Sequence, residues 1–309
     1  PMSLGLCGMH GRHEANYMVP DADVLLVVGA RFSDRTTATL SGFAPNAKII
    51  HIEIDRSEVD KNISSLTQVV GDAKHALAGI IKRLKVEIIR KNGWHKKIAE
   101  YRKYCEPYDY GPGINSPAVM RAIREALPGD AFVTTDVGQH QMFAALHYDV
   151  QEPGTFLSSG GLGTMGFGVP SAIGAKAAAP DKKVLTICGD GGFHMTENNL
   201  TVAVDEDLPI VVVLMNNKVL GMVAQWQRLF MDGRLSTVDR NYSVDYTELS
   251  KSYGAHAVKI ESMDHLNTEL RRAVDADYTT VIEVPIDPNE NVYPHIPPGM
   301  GLKDILTED

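Results

Sequence analysis

Cysteine is scarce. Cys7, Cys105 and Cys188 are the only three in 309 residues, too few and too scattered for a disulfide framework. None forms a CxxC pair, so a structural zinc site is unsupported, and a reducing, cytoplasmic compartment is expected. Positive charge is also short: the net charge is −9, which argues against a nucleic-acid surface, because phosphate binding needs clustered Lys and Arg. The strongest basic run, Lys91 to Lys103, is broken by Glu100 and reads as a solvated helix face. No apolar run reaches the length of a membrane span. No initiator Met or signal-like segment precedes Pro1, and the natural N-terminus is expected to lie further upstream.

What remains is a globular composition, 44% hydrophobic and 22% charged, in a length that suits two domains. The most informative stretch is Gly189 to Asn217. It reads as one βαβ unit. Val184–Cys188 is a short strand ending in Gly189-Asp190-Gly191-Gly192, residues 196–205 form a helix, and Ile210–Met215 is a strand apolar throughout, as one buried on both faces should be. A crossover helix puts both strand ends on the same edge of a parallel sheet. Asp190 and Asn217, 27 positions apart, can therefore meet where ligands of open α/β sheets bind. Both offer hard oxygen atoms. Together with one backbone carbonyl they would leave a Mg²⁺ ion room for a diphosphate and a water. As plain turn formers, Asp and Asn are an equally ordinary choice at strand ends.

Other segments fit the same architecture. Asp23–Ala30 reads as a buried strand running into Arg31, Ser33 and Arg35, where an anion could dock or a surface ion pair with Asp34 could form. Lys48–Ile54 is a second strand, with Glu53 near its end. Asp72 stands before an amphipathic helix, Ala73–Arg90, and could simply be its N-cap. A second domain opens with a helix from Ser116-Pro117 to Leu127 and a strand, Ala131–Thr135, leading into Asp136-Val137-Gly138-Gln139-His140-Gln141. Gly161, Gly163 and Gly166 spell G-x-G-x-x-G, but only the short, polar TFLSS precedes them, so a dinucleotide fingerprint is rejected. Met222 and Trp226 share one helix face, which is more often core than site. The Pro-rich tail from Pro285 is expected to wrap the surface or lie over the site. The domains expected are 1–92, a linker at 93–115, 116–284, and a tail at 285–309, in an α/β fold of two doubly wound parallel-sheet domains.

Several motifs agree on one family. GDG followed by NN is similar to the thiamine-diphosphate-binding motif shared by many thiamine enzymes. Gly8-Met9-His10-Gly11, Gly29–Arg35 and His51–Asp55 resemble a flavin-binding middle domain. Gly138–Met142, GGLGTMGFG and GMVAQWQRLF resemble a thiamine-diphosphate domain. In that combination the chain resembles the catalytic large subunit of acetolactate synthase over essentially its whole length.

The resemblance implies Mg²⁺ ligands at Asp190, Asn217 and the carbonyl of Val219. It implies contacts to thiamine diphosphate from Gln139, His140, Gly163, Thr164, Met165, Gly189, Asp190, Gly191, Gly192, Asn217, Val219, Gly221 and Met222, with Met165 propping the bent cofactor. Met222 and Trp226 would shape the pocket for the second substrate. FAD would touch Cys7, Gly8, Met9, His10, Gly29, Ala30, Arg31, Phe32, Ser33, Glu53, Ile54 and Asp72. The family commonly has a second acid where Ser33 stands and an Asp where Glu53 stands. The implied reaction decarboxylates pyruvate and joins the product to a second 2-keto acid, pyruvate or 2-ketobutyrate, with a structural flavin. Implied partners are a second copy of the chain or a higher homo-oligomer, and a small regulatory subunit. The family's activating glutamate sits in an N-terminal pyrimidine-binding domain and has no counterpart here, so the isolated chain is expected to be inactive. Two alternatives remain open: a flavin-dependent pyruvate oxidase, and a non-catalytic fragment that binds Mg²⁺–diphosphate.

Overall fold

A computed structural model describes residues 3–84, 93–104, 108–239 and 243–307. The chain divides into two compact units. One is Pro1–Tyr108 with Tyr293–Asp309, the other Asp109–Val292.

The first unit holds α1 (His13–Met18), β1 (Val24–Val28), α2 (Asp34–Thr37), α3 (Leu40–Phe43), β2 (Lys48–Glu53), β3 (Thr67–Val70), α4 (Ala73–Arg83) and α5 (Trp94–Tyr104). Its sheet is parallel, in the order β1-β2-β3. The apolar run of β1 suggests a strand buried on both faces, but Val24 and Leu26 are 52% and 48% exposed. The strand sits at a sheet edge and packs only its Leu25 and Val27 face inward. Helix α4 ends at Arg83, with Leu84 extended; the rest of the expected helix, like Cys105, lies outside the described residues. The end of the tail does more than wrap the surface. Ile296 and Leu302 are fully buried with Phe32, Phe43 and Ile49 in this unit's core.

The second unit holds α6 (Ser116–Ala126), β4 (Phe132–Thr135), α7 (Gln139–His147), β5 (Phe156–Ser158), α8 (Gly168–Ala178), β6 (Val184–Gly189), α9 (Asp190–Thr196), α10 (Leu200–Asp205), β7 (Val211–Asn216), α11 (Gly221–Phe230), α12 (Tyr246–Ser252), β8 (His256–Lys259), α13 (Met263–Asp275) and β9 (Thr280–Pro285). Six parallel strands run in the order β5-β4-β6-β7-β9-β8. Two cores lie on opposite faces. Leu185, Ile187, Val211, Val213, Met215, Ile282 and Val284 point to one. Val184, Cys188, Val212, Leu214 and Val281 point to the other. The alternation explains why β6 and β7 read as unbroken apolar runs. This is the doubly wound arrangement that the sequence pattern implies.

Local rules explain most boundaries. The expected helix over 196–205 is broken. Helix α9 already starts at Asp190, despite Gly191 and Gly192, and a 3₁₀ turn at Glu197–Asn199 separates it from α10. The cap of α6 is Asn115 rather than Ser116: its carboxamide oxygen accepts from the Ala118 amide at 2.9 Å, and its Nδ2 donates to the Gly111 carbonyl. We expect Asn115→Ala to destabilise the second unit by about 1 kcal/mol and Ser116→Ala by much less. Denaturant unfolding of the two variants checks the assignment.

Candidate functional site

The C-terminal strand ends of the second unit share one edge. There the loops after β4, β6 and β7 and the segment after β9 enclose a cavity of about 150 Å³. That is roughly ten times the space one water needs.

Asp136 anchors the floor. It follows β4, is 1% exposed, and takes three backbone hydrogen bonds. Oδ1 accepts from Val137 at 2.8 Å and from Gly166 at 3.0 Å, and Oδ2 accepts from Gly168 at 2.8 Å. Helix α9 packs directly onto this carboxylate. A Cβ on Gly192 would lie 2.0 Å from Asp136 Oδ1, so only glycine fits. Gly221 is held to the same standard, since its Cβ would lie 1.9 Å from Gln139 Oε1.

A chain of amides crosses the cavity. Asn217 Nδ2 donates to Gln139 Oε1 at 3.4 Å, and Gln139 Nε2 donates to Gln225 Oε1 at 2.8 Å. Gln225 closes on the Val292 backbone through both its amide atoms. Gln139 Nε2 also donates to the Glu290 carbonyl at 2.9 Å. Next to Gln139, His140 is buried and hydrogen-bonded to the Asp136 backbone. Burial holds its imidazole down to about 4, against the pull of the Asp136 charge, so it is neutral near pH 7. Its Nε2 has no partner among the described residues. A buried, unmatched polar atom in a cavity wall is the mark of a place where a polar ligand would bind.

Asp190 is the first residue of α9 and is 2% exposed. It lines the cavity with Asn217 and Val219. Asn217 Oδ1 accepts from the Val219 amide at 3.2 Å, and a carbonyl oxygen keeps a second lone pair for another partner. Carboxylate, carboxamide and main-chain carbonyl form the hard-oxygen set that Mg²⁺ takes together with phosphate oxygens. Among the described residues no group of three or more His, Cys, Asp or Glu gathers as a metal site. A Mg²⁺ site here would depend on amide oxygens and on its ligand.

Of the thiamine-site residues expected from sequence, Gln139, His140, Met165, Gly189, Asp190, Gly191, Gly192, Asn217, Val219, Gly221 and Met222 all line this one cavity. Gly163 and Thr164 do not. Their amides turn inward on the glycine loop, to the Ser159 carbonyl at 2.9 Å and to Ser159 Oγ at 3.0 Å. Trp226 is also outside the lining, one turn beyond Met222 and edge-on to Phe230 at 5.6 Å. Sequence reasoning missed Ser116, Val137, Gly138, Phe143, Met215, Leu220, Val223, Ile286 and Glu290 as cavity residues. Burial raises the Glu290 carboxyl above its usual range, and Oε1 accepts from the Ser116 amide at 2.9 Å. Val223 lies within the GMVAQWQRLF run, but Ser116, Ile286 and Glu290 belong to no local motif and meet because the segment after β9 returns across the strand ends.

In the first unit the expected flavin residues occupy the corresponding edge. Gly29, Ala30 and Arg31 follow β1, Glu53 and Ile54 end β2, and Asp72 follows β3, where it caps α4 by accepting from the His75 amide at 3.1 Å. Cys7, Gly8, Met9 and His10 form the loop before α1; there the Met9 amide donates to the Arg35 carbonyl at 2.8 Å. Ile54 is exposed and Ser33 half-buried, whereas the Phe32 ring is buried in the core, which leaves only its backbone for a ligand. Burial pushes the Cys7 thiol up to about 12, so it is no nucleophile.

Comparison with known proteins gives the same two parts. Residues 136–284 match the family "Thiamine pyrophosphate enzyme, C-terminal TPP binding domain". Residues 1–80 match "Thiamine pyrophosphate enzyme, central domain". The chain is 42% identical to the probable acetolactate synthase large subunit of Methanocaldococcus jannaschii, over 99% of this chain and 53% of the relative. It is 40% identical to the acetolactate synthase large subunit of Haemophilus influenzae, over 98% of this chain and 54% of that protein. It is 38% identical to the isozyme 3 large subunit of Escherichia coli, over the same shares of the two chains. The chain thus spans about half the length of the curated relatives it matches.

Two outcomes follow from the packing. Gly192→Ala should collapse the β4–α9 contact, costing about 1–3 kcal/mol as overpacking does; thermal unfolding reads it. His140 titrates near 6.5 when unfolded and near 4 when folded. The stability this gives is fully present above pH 6.5 and is lost as pH falls toward 4, at up to about 1.4 kcal/mol per pH unit. His140→Asn should flatten that part of the stability–pH curve.

Proposed function

This chain belongs to the thiamine pyrophosphate enzymes, and we propose that it supplies the diphosphate-binding half of an acetolactate synthase active site. The reaction is decarboxylation of pyruvate followed by condensation with a second 2-keto acid. One observation carries the reading. The cavity holds a buried carboxylate, Asp190, beside Asn217 and Val219, and among the described residues no Lys or Arg lines it. A diphosphate could not be neutralised there by side chains. It would have to arrive with a divalent cation, and Asp190 is the group that would hold that cation.

Thiamine diphosphate, when bound, supplies the electron sink for loss of CO₂ and for carbon–carbon bond formation. The chain's own residues bind and orient. Asp190, Asn217 and the Val219 carbonyl would hold Mg²⁺. Gln139 and the unmatched His140 Nε2 would meet the diphosphate. Met165, Phe143, Leu220, Met222 and Ile286 form apolar walls that keep water from the reacting centre. FAD would lie along the strand ends of the first unit, at Gly29–Arg31 and Glu53–Ile54, without entering the chemistry. Leu162, 93% exposed on the glycine loop, and the exposed Met195 and Val223 support a second copy of the chain closing the cavity from outside. A small regulatory subunit belongs to the same proposal.

Calorimetry on the full chain tests this. Thiamine diphosphate should bind with Mg²⁺ and lose at least about tenfold in affinity without it. Asp190→Ala should abolish Mg²⁺-dependent binding and Asn217→Ala should weaken it strongly. Equal binding with and without Mg²⁺, or an unaffected Asp190→Ala, would overturn the metal assignment.

A further inference from the structure

A second acid, on β9, lies outside this cavity and lines a neighbouring one with Asp190, Asn216 and Lys218. Glu283 interrupts the apolar run of β9 and is 4% exposed. An acid in a strand buried on both faces is costly unless its oxygens find donors. The hydrogen bond recorded for Glu283 comes from Asn216 Nδ2, which donates to Oε1 at 2.8 Å. Lys259, its register partner on β8, lies 3.6 Å from the same oxygen but is itself 58% exposed. A pair of that kind contributes little.

The other end of the Asn216 amide points to the loop. Asn216 Oδ1 accepts from the Lys218 amide at 3.2 Å. Lys218 has φ +57°, an αL conformation that a non-glycine residue holds only when its surroundings enforce it. The two residues beside it, Asn217 and Val219, both line the cavity. Leu220 then pairs with Val238, its amide donating to the Val238 carbonyl at 2.9 Å. The turn is thus pinned at its start by Asn216 and at its exit by Val238.

We propose that Glu283 is a positioning residue for the metal-binding turn, acting through Asn216. Its carboxylate orients the Asn216 carboxamide so that Oδ1 is presented to the Lys218 amide. That holds the left-handed turn, and the turn sets where the Asn217 and Val219 oxygens stand. Glu283 is not in the lining of the cavity that would take the diphosphate; it reaches the turn only through Asn216. The ligand half of the inference rests on the Mg²⁺–thiamine diphosphate reading; the turn geometry does not.

The experiment has two arms on the full chain. Hydrogen exchange of the amides in 216–220, without cofactor, reports the turn. Mg²⁺-dependent affinity for thiamine diphosphate reports the site. Glu283→Ala should speed exchange in this segment and weaken binding, each about tenfold, as expected for losing a hydrogen bond to a charged group. Glu283→Gln keeps an acceptor of the same shape and should restore both to within about threefold of native. Asn216→Asp, which removes the donor at constant size, should match Glu283→Ala and serves if that variant fails to fold. Lys259→Met should leave both readouts near native. The proposal is overturned if Glu283→Gln is as impaired as Glu283→Ala, if Lys259→Met reproduces the defect, or if exchange in 216–220 is native-like in both Glu283→Ala and Asn216→Asp. A native chain that binds no thiamine diphosphate would count against the proposed function, and the exchange arm would still decide the role of Glu283.

Discussion

The carboxylate of Asp136 is the constraint on which the site depends. It is buried at the end of β4 and is satisfied by three backbone N–H groups, two of them from the glycine loop at Gly166 and Gly168. Such an acceptor fixes its donors strongly, because an unmet buried charge costs several kcal/mol. The loop must come to the acid, so Met165, between two anchored residues, is set in the cavity wall. The same carboxylate defines the space for α9 through Gly192. Strand, loop and helix are located by one side chain, and Asp190 enters the cavity as the first residue of that helix.

Around this anchor the polar groups are nearly all neutral. Asn217, Gln139 and Gln225 pass hydrogen bonds from one to the next and end on the backbone of Val292. Amides can be buried in a series because each is both donor and acceptor, and each bond strengthens its neighbour in a low-dielectric site. Lysines in the same places would need counter-charges. The series also makes the segment after β9 part of the site, since Gln139 holds the Glu290 carbonyl while the Glu290 carboxyl holds the start of α6.

How far the sequence reveals this differs by residue. The GDG and NN ends were legible because a βαβ crossover brings two strand ends together whatever the side chains are. Helix α9 was not, because Gly191 and Gly192 have poor helix propensity and only the close approach to Asp136 accounts for them. Strand β1 of the first unit looked doubly buried because apolar content does not tell an edge strand from a central one. Strands β3 and β8, four residues each, are too short to stand out from loop. Ser116 sits 174 positions before Glu290, its partner in the site, and no local pattern marks such a meeting. The G-x-G-x-x-G at Gly161 follows β5, a three-residue, half-buried edge strand, not the buried strand such a fingerprint needs.

The charge of the cavity ties these points together. A lining that holds Asp190 and a half-buried Glu290 and, among the described residues, no Lys or Arg should repel a bare diphosphate. His140 cannot compensate, since burial keeps it neutral. Basic groups would bind the anion without a metal but would also compete with the metal for its oxygens. On the proposed function, leaving them out would make cation and diphosphate bind as a unit, each unfavourable alone. It also leaves the site dependent on the exact stance of two amide-type oxygens, those of Asn217 and Val219. Two weak ligands must be preorganised where two carboxylates would find the cation by charge alone. That dependence gives a buried acid such as Glu283, one residue away from the turn through Asn216, a physical reason to be there.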